Sequence, residues 1–365
     1  MIHSVFGLSL LLLGVQDPVS QADSAALSDP QNTSQIETPF ESDPLVVTAE
    51  FRDVGVSDLA GSATVISAHV IQQREATHLD QVLNLAPNVN FAAGASRGRF
   101  FQIRGIGERS QFVEPINPSV GLVLDGIDLT GLGGAATTLD IAQVEVLRGP
   151  QGTLLGANAM AGLINLVSGS PTELLSGSAT LGIAERGGRR LEGVISGPLN
   201  DQAGFRLAYG ANQSDGTQHN GFLGVSDTAN IDEQTLRGKL NWQAGDDLSF
   251  DLTALLLDVD NGYDGFSLDN TRTTLSDQPG FDRQETWAGS VRMNYSIQPD
   301  LSLEALLSHV DADLDYGFDE DWSFDQICDV FECIFDGYSS FDRYQRDNEN
   351  TTLDLRLLSN RGPEQ

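Results

Sequence analysis

The stretch that decides the fold is Val-Glu-Val-Leu-Arg-Gly-Pro-Gln-Gly-Thr-Leu-Leu-Gly-Ala-Asn-Ala-Met-Ala-Gly-Leu-Ile-Asn, residues 144–165. It contains an apolar run at 144–147 and a loop punctuated by glycine and proline, and it ends within a second apolar run at 163–167. Apolar runs of this length with such boundaries predict two short strands. Similar runs lie upstream at 64–66, 101–104 and 120–124, so residues 57–171 are predicted to form a compact α/β domain.

Two helices are predicted near the start of this domain. Ser67 is expected to cap a helix that runs to about Arg74. Thr77 is expected to cap a second helix, and Pro87 ends it because proline clashes with the preceding turn. The apolar side chains of the second helix recur with helical spacing: Leu79, Val82, Leu83 and Ala86.

After Pro171 the hydrophobic period changes to two. Segments of about ten residues place apolar and polar side chains on opposite faces, which is typical of the wall of a transmembrane β-barrel. The segments lie near 205–209, 236–242, 248–256, 291–297, 301–305 and 353–357.

The connections between these segments alternate in length. Short turns at 198–203, 244–247 and 298–300 alternate with long polar loops at 212–233, 258–284 and 311–350. Outer-membrane barrels have short periplasmic turns and long external loops, whereas a soluble β-sandwich would not require this alternation. The aromatic residues Phe205, Trp242, Phe250 and Tyr295 lie beside the short turns, where a periplasmic girdle is expected.

The first 42 residues precede the predicted domains. Residues 5–15 form an apolar run too short to cross a bilayer as a helix, and Ser20-Gln21-Ala22 provides a small-x-small cleavage site. We predict a signal peptide over 1–22, although its first residues lack Lys and Arg, with a short buried helix as the alternative. Residues 23–42 are polar and are predicted to be a flexible leader.

A short apolar island follows at 45–49, Leu-Val-Val-Thr-Ala. Its β-branched residues favour an extended conformation. By composition it fits two structures equally well. It could be an edge strand of the following domain, or a strand offered to the sheet edge of another protein.

The chain has 20 Lys and Arg against 52 Asp and Glu, a net charge of -32. This charge repels nucleic acid, so a nucleic-acid-binding role is not expected. The histidines are scattered and no Ser-His-Asp constellation occurs, so we predict no enzyme, no metal site and no cofactor. Cys328 and Cys333 are predicted to form a disulfide, as in other exported proteins, with two free thiols as the alternative.

Three motifs together resemble the TonB-dependent outer-membrane receptors. Residues 43–50 resemble a TonB box, 103–107 resemble a central strand motif of the plug domain, and 144–165 resemble its C-terminal signature. Leu155 and Ala157 depart from the usual residues of that signature. The resemblance implies a TonB box at 43–52, an α/β plug at 57–171, and an antiparallel transmembrane β-barrel at 177–365. That barrel is incomplete, with about eight of roughly 22 strands.

The resemblance also implies a mechanism. A scarce ligand, most commonly a metal chelate such as a ferric siderophore, binds outside between plug and barrel loops, and binding frees the box in the periplasm. The TonB protein then pairs with the box by strand addition and pulls, driven by the proton-motive force. Another cargo (corrinoid, haem, nickel chelate or oligosaccharide) and a non-transporting remnant are the alternatives. The expected partners are TonB, outer-membrane lipid and the chelate, with the receptor a monomer.

Site residues follow from the same resemblance. Arg104 and Arg148 are expected to lock the plug by pairing with carboxylates of the barrel wall. The residues expected to bind TonB are Asp43, Leu45, Val46, Val47, Thr48 and Ala49. The residues expected in the apical ligand loops, where cations could meet an anionic chelate, are Ser96, Arg97, Arg99, Arg109, Gln111 and Phe112.

Overall fold

The structure, a computed structural model, describes residues 6–11, 46–48, 54–55, 58–59, 61–110, 118–152, 158–332 and 337–359. It has two main layers. A five-stranded sheet, here called the plug sheet, comes from the predicted α/β domain, and a nine-stranded sheet, here called the wall, comes mainly from residues after 171. Apolar side chains of both layers share one buried core, so the plug packs against one face of the wall.

The plug sheet contains both strands predicted from the 144–165 stretch. In chain order the elements up to residue 168 are β1 (Phe6–Leu11), β2 (Val46–Val47), β3 (Val54–Gly55), β4 (Ser62–Ser67), α1 (Ala68–Gln73), β5 (Val89–Ala92), β6 (Phe100–Ile103), β7 (Val120–Leu124), β8 (Ile127–Asp128), β9 (Ile141–Arg148) and β10 (Gly162–Ser168). The sheet order is β4-β9-β10-β7-β8, with β10 antiparallel to β9 and parallel to β7. The central strands β7 and β10 are buried on both faces, which explains their continuous apolar runs.

The first predicted helix is confirmed as α1, but the prediction of a second α-helix is wrong. The segment forms two 3-10 turns, Leu79–Gln81 and Leu83–Leu85, and His78 rather than Thr77 is the N-cap. Its backbone bonds join residue i+3 to residue i, as from Val82 N to Leu79 O at 3.0 Å, and these tight turns already bury Leu79, Val82 and Leu83. Neither α1 nor any other helix among the described residues has the length and apolarity needed to cross a bilayer.

The wall contains the predicted alternating segments as long antiparallel strands. They are β11 (Ser176–Ile183), β12 (Arg189–Asn200), β13 (Ala203–Ser214), β15 (Ile231–Gln243), β16 (Leu248–Tyr263), β18 (Gly280–Gln298), β19 (Leu301–Asp319) and β20 (Phe341–Ser359), with β14 (His219–Asn220) and β17 (Thr273–Thr274) paired inside the loops. Each wall strand pairs with the next along the chain. The short and long connections alternate as predicted, so one end of the wall carries turns and the other carries loops. We call these the turn end and the loop end.

Side chains that face away from the plug form an apolar band across the wall. Val291 of β18 lies opposite Leu252 of β16 and Leu307 of β19, and all three point to this outer face. Trp242 stacks on Phe250 at 5.6 Å between ring centroids near the turn end, where the aromatic girdle was predicted. An apolar outer band with an aromatic border is the surface that a strand presents to lipid.

Towards the loop end the apolar band gives way to a row of carboxylates. Asp258, Glu285, Asp313 and Asp347 lie directly opposite one another on four neighbouring strands. Facing like charges are destabilising, so this row fits a region where water screens them. Part of the acidic excess of the sequence therefore lies at one border of the band.

The apolar run predicted as an export signal contains a strand in the structure. Strand β1 pairs antiparallel with β11, from Phe6 opposite Ile183 to Leu11 opposite Ser178. An edge strand offers unpaired backbone groups, and an extended apolar segment can satisfy them. The signal peptide over 1–22 was not expected to pair with the wall, and its cleavage stays a prediction.

The outer band predicts a position-dependent effect of a new charge. Val291→Arg should lower the fraction of folded protein in outer membranes, because an arginine on the lipid face near mid-bilayer costs about 2–4 kcal/mol. Glu285→Arg is the matched control, since it lies on the same face of the same strand between Asp258 and Asp313. Heat-modifiable migration on gels measures the folded fraction. Equal losses for the two variants would contradict a lipid-facing band.

Candidate functional site

The predicted TonB box lies against the plug sheet. Val46–Val47 pair antiparallel with Val54–Gly55, and Val47 is fully buried. Val47 belongs to a small apolar cluster with Val123, Leu147, Leu163 and Ala159. Asp43, Leu45 and Ala49 lie outside the described residues. The described part of the box is therefore held by the plug and not presented to solvent as a free strand.

A buried carboxylate fixes the box in this position. Both the backbone N–H and the Oγ1 of Thr48 donate to Glu145 Oε1 at 2.8 Å. Asn165 Nδ2 donates to Glu145 Oε2 at 3.0 Å, and Gln143 Nε2 donates both to Glu145 Oε1 at 2.6 Å and to Val46 O at 2.9 Å. A fully buried carboxylate needs several such donors. Sequence reasoning missed Glu145, although a charge inside the apolar run 144–147 was a usable signal.

At the loop end of the interface, plug cations pair with wall carboxylates. Arg97 binds Glu233 through two bonds, Nε to Oε1 at 2.5 Å and a terminal nitrogen to Oε2 at 2.7 Å. Arg99 binds Asp282 Oδ1 at 2.7 Å, and Ser96 donates to the other oxygen of Asp282 through its N–H and its hydroxyl. Bidentate arginine–carboxylate pairs fix geometry as well as charge. These contacts tie residues 96–99 of the plug to β15 and β18.

These contacts give Arg97 and Arg99 partners in the wall, and the ligand role predicted for them stays a prediction. Each arginine is only 9% exposed and its charge is already neutralised by the wall. An anionic ligand would first have to displace a buried carboxylate, which is costly. The register of the wall strands places the carboxylates beside these arginines. The sequence of the loop alone does not predict the pairing.

Asp80 shows the electrostatic effect of this arginine cluster. Burial alone would raise the pKa of Asp80, but a hydrogen bond from His78, the charges of His78 and Arg97, and a bond from Gly98 N lower it to about 2. Arg97 is flanked by three acidic groups, Glu233, Asp80 and Asp282, which raise its pKa against the effect of burial. The cluster is therefore a mutually neutralised network inside the interface.

At the turn end the signs are reversed, because wall cations pair with plug carboxylates. Arg206 of β13 binds Asp140 through two bonds of 2.7 and 2.5 Å. Lys239 of β15 lies 3.3 Å from Asp125. Arg237 is 2% exposed and donates to Leu139 O at 2.7 Å, and its other two nitrogens have no hydrogen-bond partner among the described residues. Buried arginine without a carboxylate is unusual, and Asp125 and Asp140 are the charges that favour it.

The arginines predicted to lock the plug have other surroundings. Arg148 donates to Ser62 Oγ at 3.0 Å, Thr64 Oγ1 at 2.6 Å and Ala63 O at 3.0 Å, all within the plug sheet. Burial lowers the pKa of Arg148 and the nearby charge of Arg104 lowers it further. Arg104 is exposed, on a turn with a φ of 54°. Neither has a wall carboxylate among the described residues, so their locking role stays a prediction.

A cavity of about 710 Å³ lies at the loop end, between plug residues 74–96 and the ends of β12, β13 and β16. Ser96 lines it, whereas Arg97 and Arg99 do not; Arg109 is exposed elsewhere, and Gln111 and Phe112 lie outside the described residues. Arg74, Arg186 and Arg190 contribute cations to its lining. Sequence reasoning missed them, although the basic run Arg186-Gly-Gly-Arg-Arg190 stands out in so acidic a chain.

The structure describes one of the two cysteines of the predicted disulfide. Cys328 is disulfide-bonded and lies in a 3-10 turn, Ile327–Asp329, within the last loop. Its predicted partner, Cys333, lies outside the described residues. The pairing of the two therefore stays a prediction.

The plug contacts of Arg148 predict a difference between two conservative substitutions. Arg148→Lys should weaken the β4–β9 pairing by about 1–2 kcal/mol, because an ammonium cannot keep three bonds in a planar fork. Arg104→Lys should change it by less than about 0.5 kcal/mol, as for other exposed positions. Amide hydrogen exchange of Ser62–Ser67 measures the pairing. Equal exchange rates in the two variants would contradict the internal role of Arg148.

The chain resembles known proteins in sequence and in fold. The sequence profile of the TonB-dependent Receptor Plug Domain matches residues 55–163. The chain is 31% identical over 180 residues to the pesticin receptor of Yersinia pestis, covering 48% of this chain and 25% of the relative. It is 27% identical over 265 residues to the ferric enterobactin receptor PirA of Pseudomonas aeruginosa, covering 65% of this chain and 36% of the relative.

The fold also matches a solved structure. The ferric yersiniabactin uptake receptor FyuA from Yersinia pestis superposes with a TM-score of 0.64 at 23% identity, over 72% of this chain and 42% of that protein. The chain thus spans 25 to 36% of the length of the two curated relatives. The plug profile therefore assigns residues 55–163 to the TonB-dependent receptor plug domain, and the relatives and the solved structure show that the chain resembles receptors of this family in sequence and fold.

Proposed function

We propose that this chain is part of an active importer that takes up a scarce ligand, a ferric siderophore, across the outer membrane. The box at 43–52 is the strand that the periplasmic TonB protein binds, and the proton-motive force drives the transport. The names of the two curated relatives and of the solved structure, all receptors and two of them for ferric chelates, support this function. The receptor acts as a monomer in outer-membrane lipid.

The docked box is the observation that carries this proposal. Thr48 is bonded to the plug through two hydrogen bonds to Glu145, while the box strand pairs with only two residues of β3. Strand addition by a partner needs the backbone groups of an extended segment to be free. A box held by a few bonds can exchange them for such a partner, so the plug regulates access to the box.

The loop-end cavity is the proposed ligand site. Its volume of about 710 Å³ lies in the range of small-molecule pockets. Arg74 and Arg186 line it and suit the carboxylate, catecholate or hydroxamate oxygens of an anionic chelate. Arg97 and Arg99 act instead as part of the plug lock, with Glu233 and Asp282 as their wall partners. The nature of the metal chelate rests on the relatives, and another cargo would use the same cavity.

The proposed organisation of the chain follows the sequence boundaries. A signal peptide occupies 1–22, a flexible leader 23–42, the box 43–52, the plug 57–171 and a partial barrel 177–365. The family profile at 55–163 and the wall strands from Ser176 to Ser359 support the last two. Whether these residues work within a longer receptor or as a non-transporting remnant is tested by the uptake experiment below.

The role of Glu145 predicts how box access responds to mutation. Glu145→Ala should tighten binding of a periplasmic TonB fragment to the purified receptor on the order of tenfold, because hydrogen bonds to a charged group contribute about 1.5–3 kcal/mol. Glu108→Ala is the matched control, since Glu108 accepts bonds from the N–H and hydroxyl of Ser119 in the same pattern. Calorimetric titration measures the affinity. Unchanged affinity in Glu145→Ala would show that the box is not held by this carboxylate.

The cavity cations predict an uptake defect. In iron-starved cells, Arg74→Ala combined with Arg186→Ala should reduce the accumulation of radioactive iron supplied with the host's own spent medium. Arg283→Ala with Arg343→Ala removes two exposed cations from the wall exterior and should leave uptake unchanged. A strain lacking the receptor gives the background. Equal accumulation with and without the receptor would contradict import of the host's own ferric chelates and would favour another cargo or a non-transporting remnant.

A further inference from the structure

Two cavities lie on the same side of the plug, one above the other. The outer cavity of about 710 Å³ and an inner cavity of about 160 Å³ both lie between the plug and strand β12. The inner cavity is lined by Ile71 and Ala76 near α1, by Asp140 and Ala142 of the following plug segment, and by Gly169. Arg190 of β12 lines both cavities, so it stands between them.

The opposite side of the plug is packed with apolar side chains. There the wall strands β16, β18 and β19 contribute Leu255, Leu257, Ala288, Val310 and Leu314 to the same buried core as the plug strands. Contact is close, since a Cβ built on Gly126 of the plug would come within 2.8 Å of Leu306 Cδ2. Separating this dry apolar interface would expose apolar surface to water, whereas the β12 side already contains polar space.

The side with cavities is closed by two arginines. At its upper limit Arg190 binds Glu192 Oε1 at 2.9 and 2.7 Å and donates to Glu75 O at 3.1 Å. At its lower limit Arg206 binds Asp140 and donates to Ser170 O at 3.3 Å. A Cβ built on Gly169 would lie 2.6 Å from Arg206 Nε, so this closure is tight. Both closures consist of long side chains, which can rotate without separating the sheets.

We propose that solute crosses this receptor along the β12–β13 side of the plug, from the outer to the inner cavity, with Arg190 and Arg206 as its upper and lower gates. This inference rests on the proposed import function and specifies its route. Arg190 and Glu192 make the lining of the route polar, and Arg190 supplies a cation that suits an anionic chelate. The plug stays attached to β16, β18 and β19 during passage, because its apolar contacts and the Arg99–Asp282 pair lie on that side.

The test is the ionic conductance of the complete receptor in planar lipid bilayers, with potassium chloride as the probe. Arg190→Ala with Arg206→Ala removes both gates and should raise the conductance several-fold above wild type. Lys239→Ala with Arg292→Ala is the matched control, since it also removes one plug–wall pair, Lys239–Asp125, and one wall pair, Arg292–Glu304. The control should conduct like wild type.

Two results would overturn the route. If neither double variant conducts more than wild type, the gates do not close a route, and if both conduct equally, the plug has merely loosened. No ligand is used, so a failed import function would show as absent iron uptake while the conductance difference persisted.

A second measurement applies if the double variant does not fold. Ala76 is 2% exposed and lines the inner cavity, so Ala76→Cys reports access to it. A small cationic thiol reagent should modify this cysteine several-fold faster when Arg190→Ala is added to the purified complete receptor. Adding Arg292→Ala instead should not change the rate. Equal rates in the two backgrounds would overturn the role of Arg190 as a gate.

Discussion

The rest of the structure depends on the pairing of charges across the interface between plug and wall. At the loop end the plug supplies the cations Arg97 and Arg99, and at the turn end it supplies the anions Asp125 and Asp140. Unpaired buried charges are costly, so a displaced plug would lose several pairs together. Glu233 and Lys239 are six residues apart on β15, about 20 Å, which sets the distance between the two groups. The reversal of sign also excludes an inverted plug.

Buried charges need partners, and this requirement also explains why the box is held against the plug. Glu145 lies in the middle of the plug sheet, where a carboxylate is tolerated because Thr48, Gln143 and Asn165 donate to it. The residue that completes this set belongs to the box itself. The plug and the box are thereby linked by one buried acid, and release of the box leaves that acid with fewer donors. The buried carboxylate of Glu145 in the plug core therefore retains the box.

Much of the fold could be predicted from local patterns. The period-two segments, the alternation of turns and loops, and the strands around the 144–165 stretch each depend on neighbouring residues, and the structure contains all of them. The prediction of a second α-helix was wrong because the pattern of Leu79, Val82 and Leu83 also fits 3-10 turns that bury the same side chains. Periodicity alone does not distinguish the i+3 to i bonds of these turns, such as Val82 N to Leu79 O, from the bonds of an α-helix.

The site was less predictable because its contacts join residues far apart in sequence. Arg97 and Arg99 stood out as cations, but their partners Glu233 and Asp282 follow only from the register of wall strands against the plug. Arg104 and Arg148 were predicted from sequence motifs to lock the plug. Arg148 donates hydrogen bonds to the neighbouring strand of its own sheet. The basic run 186–190 was missed, because only the strand pairing places it beside Ser96 in the lining of the cavity.

The pairing of plug and wall is tested most directly by charge reversal in the complete receptor in outer membranes. Arg97→Glu and Glu233→Arg would be made singly and together, and the rate at which a protease cleaves the plug would be measured. We predict that each single reversal speeds cleavage, because two like charges then meet in a buried site, and that the double reversal restores most of the protection. A double variant cleaved as fast as the more sensitive single variant would contradict the pairing.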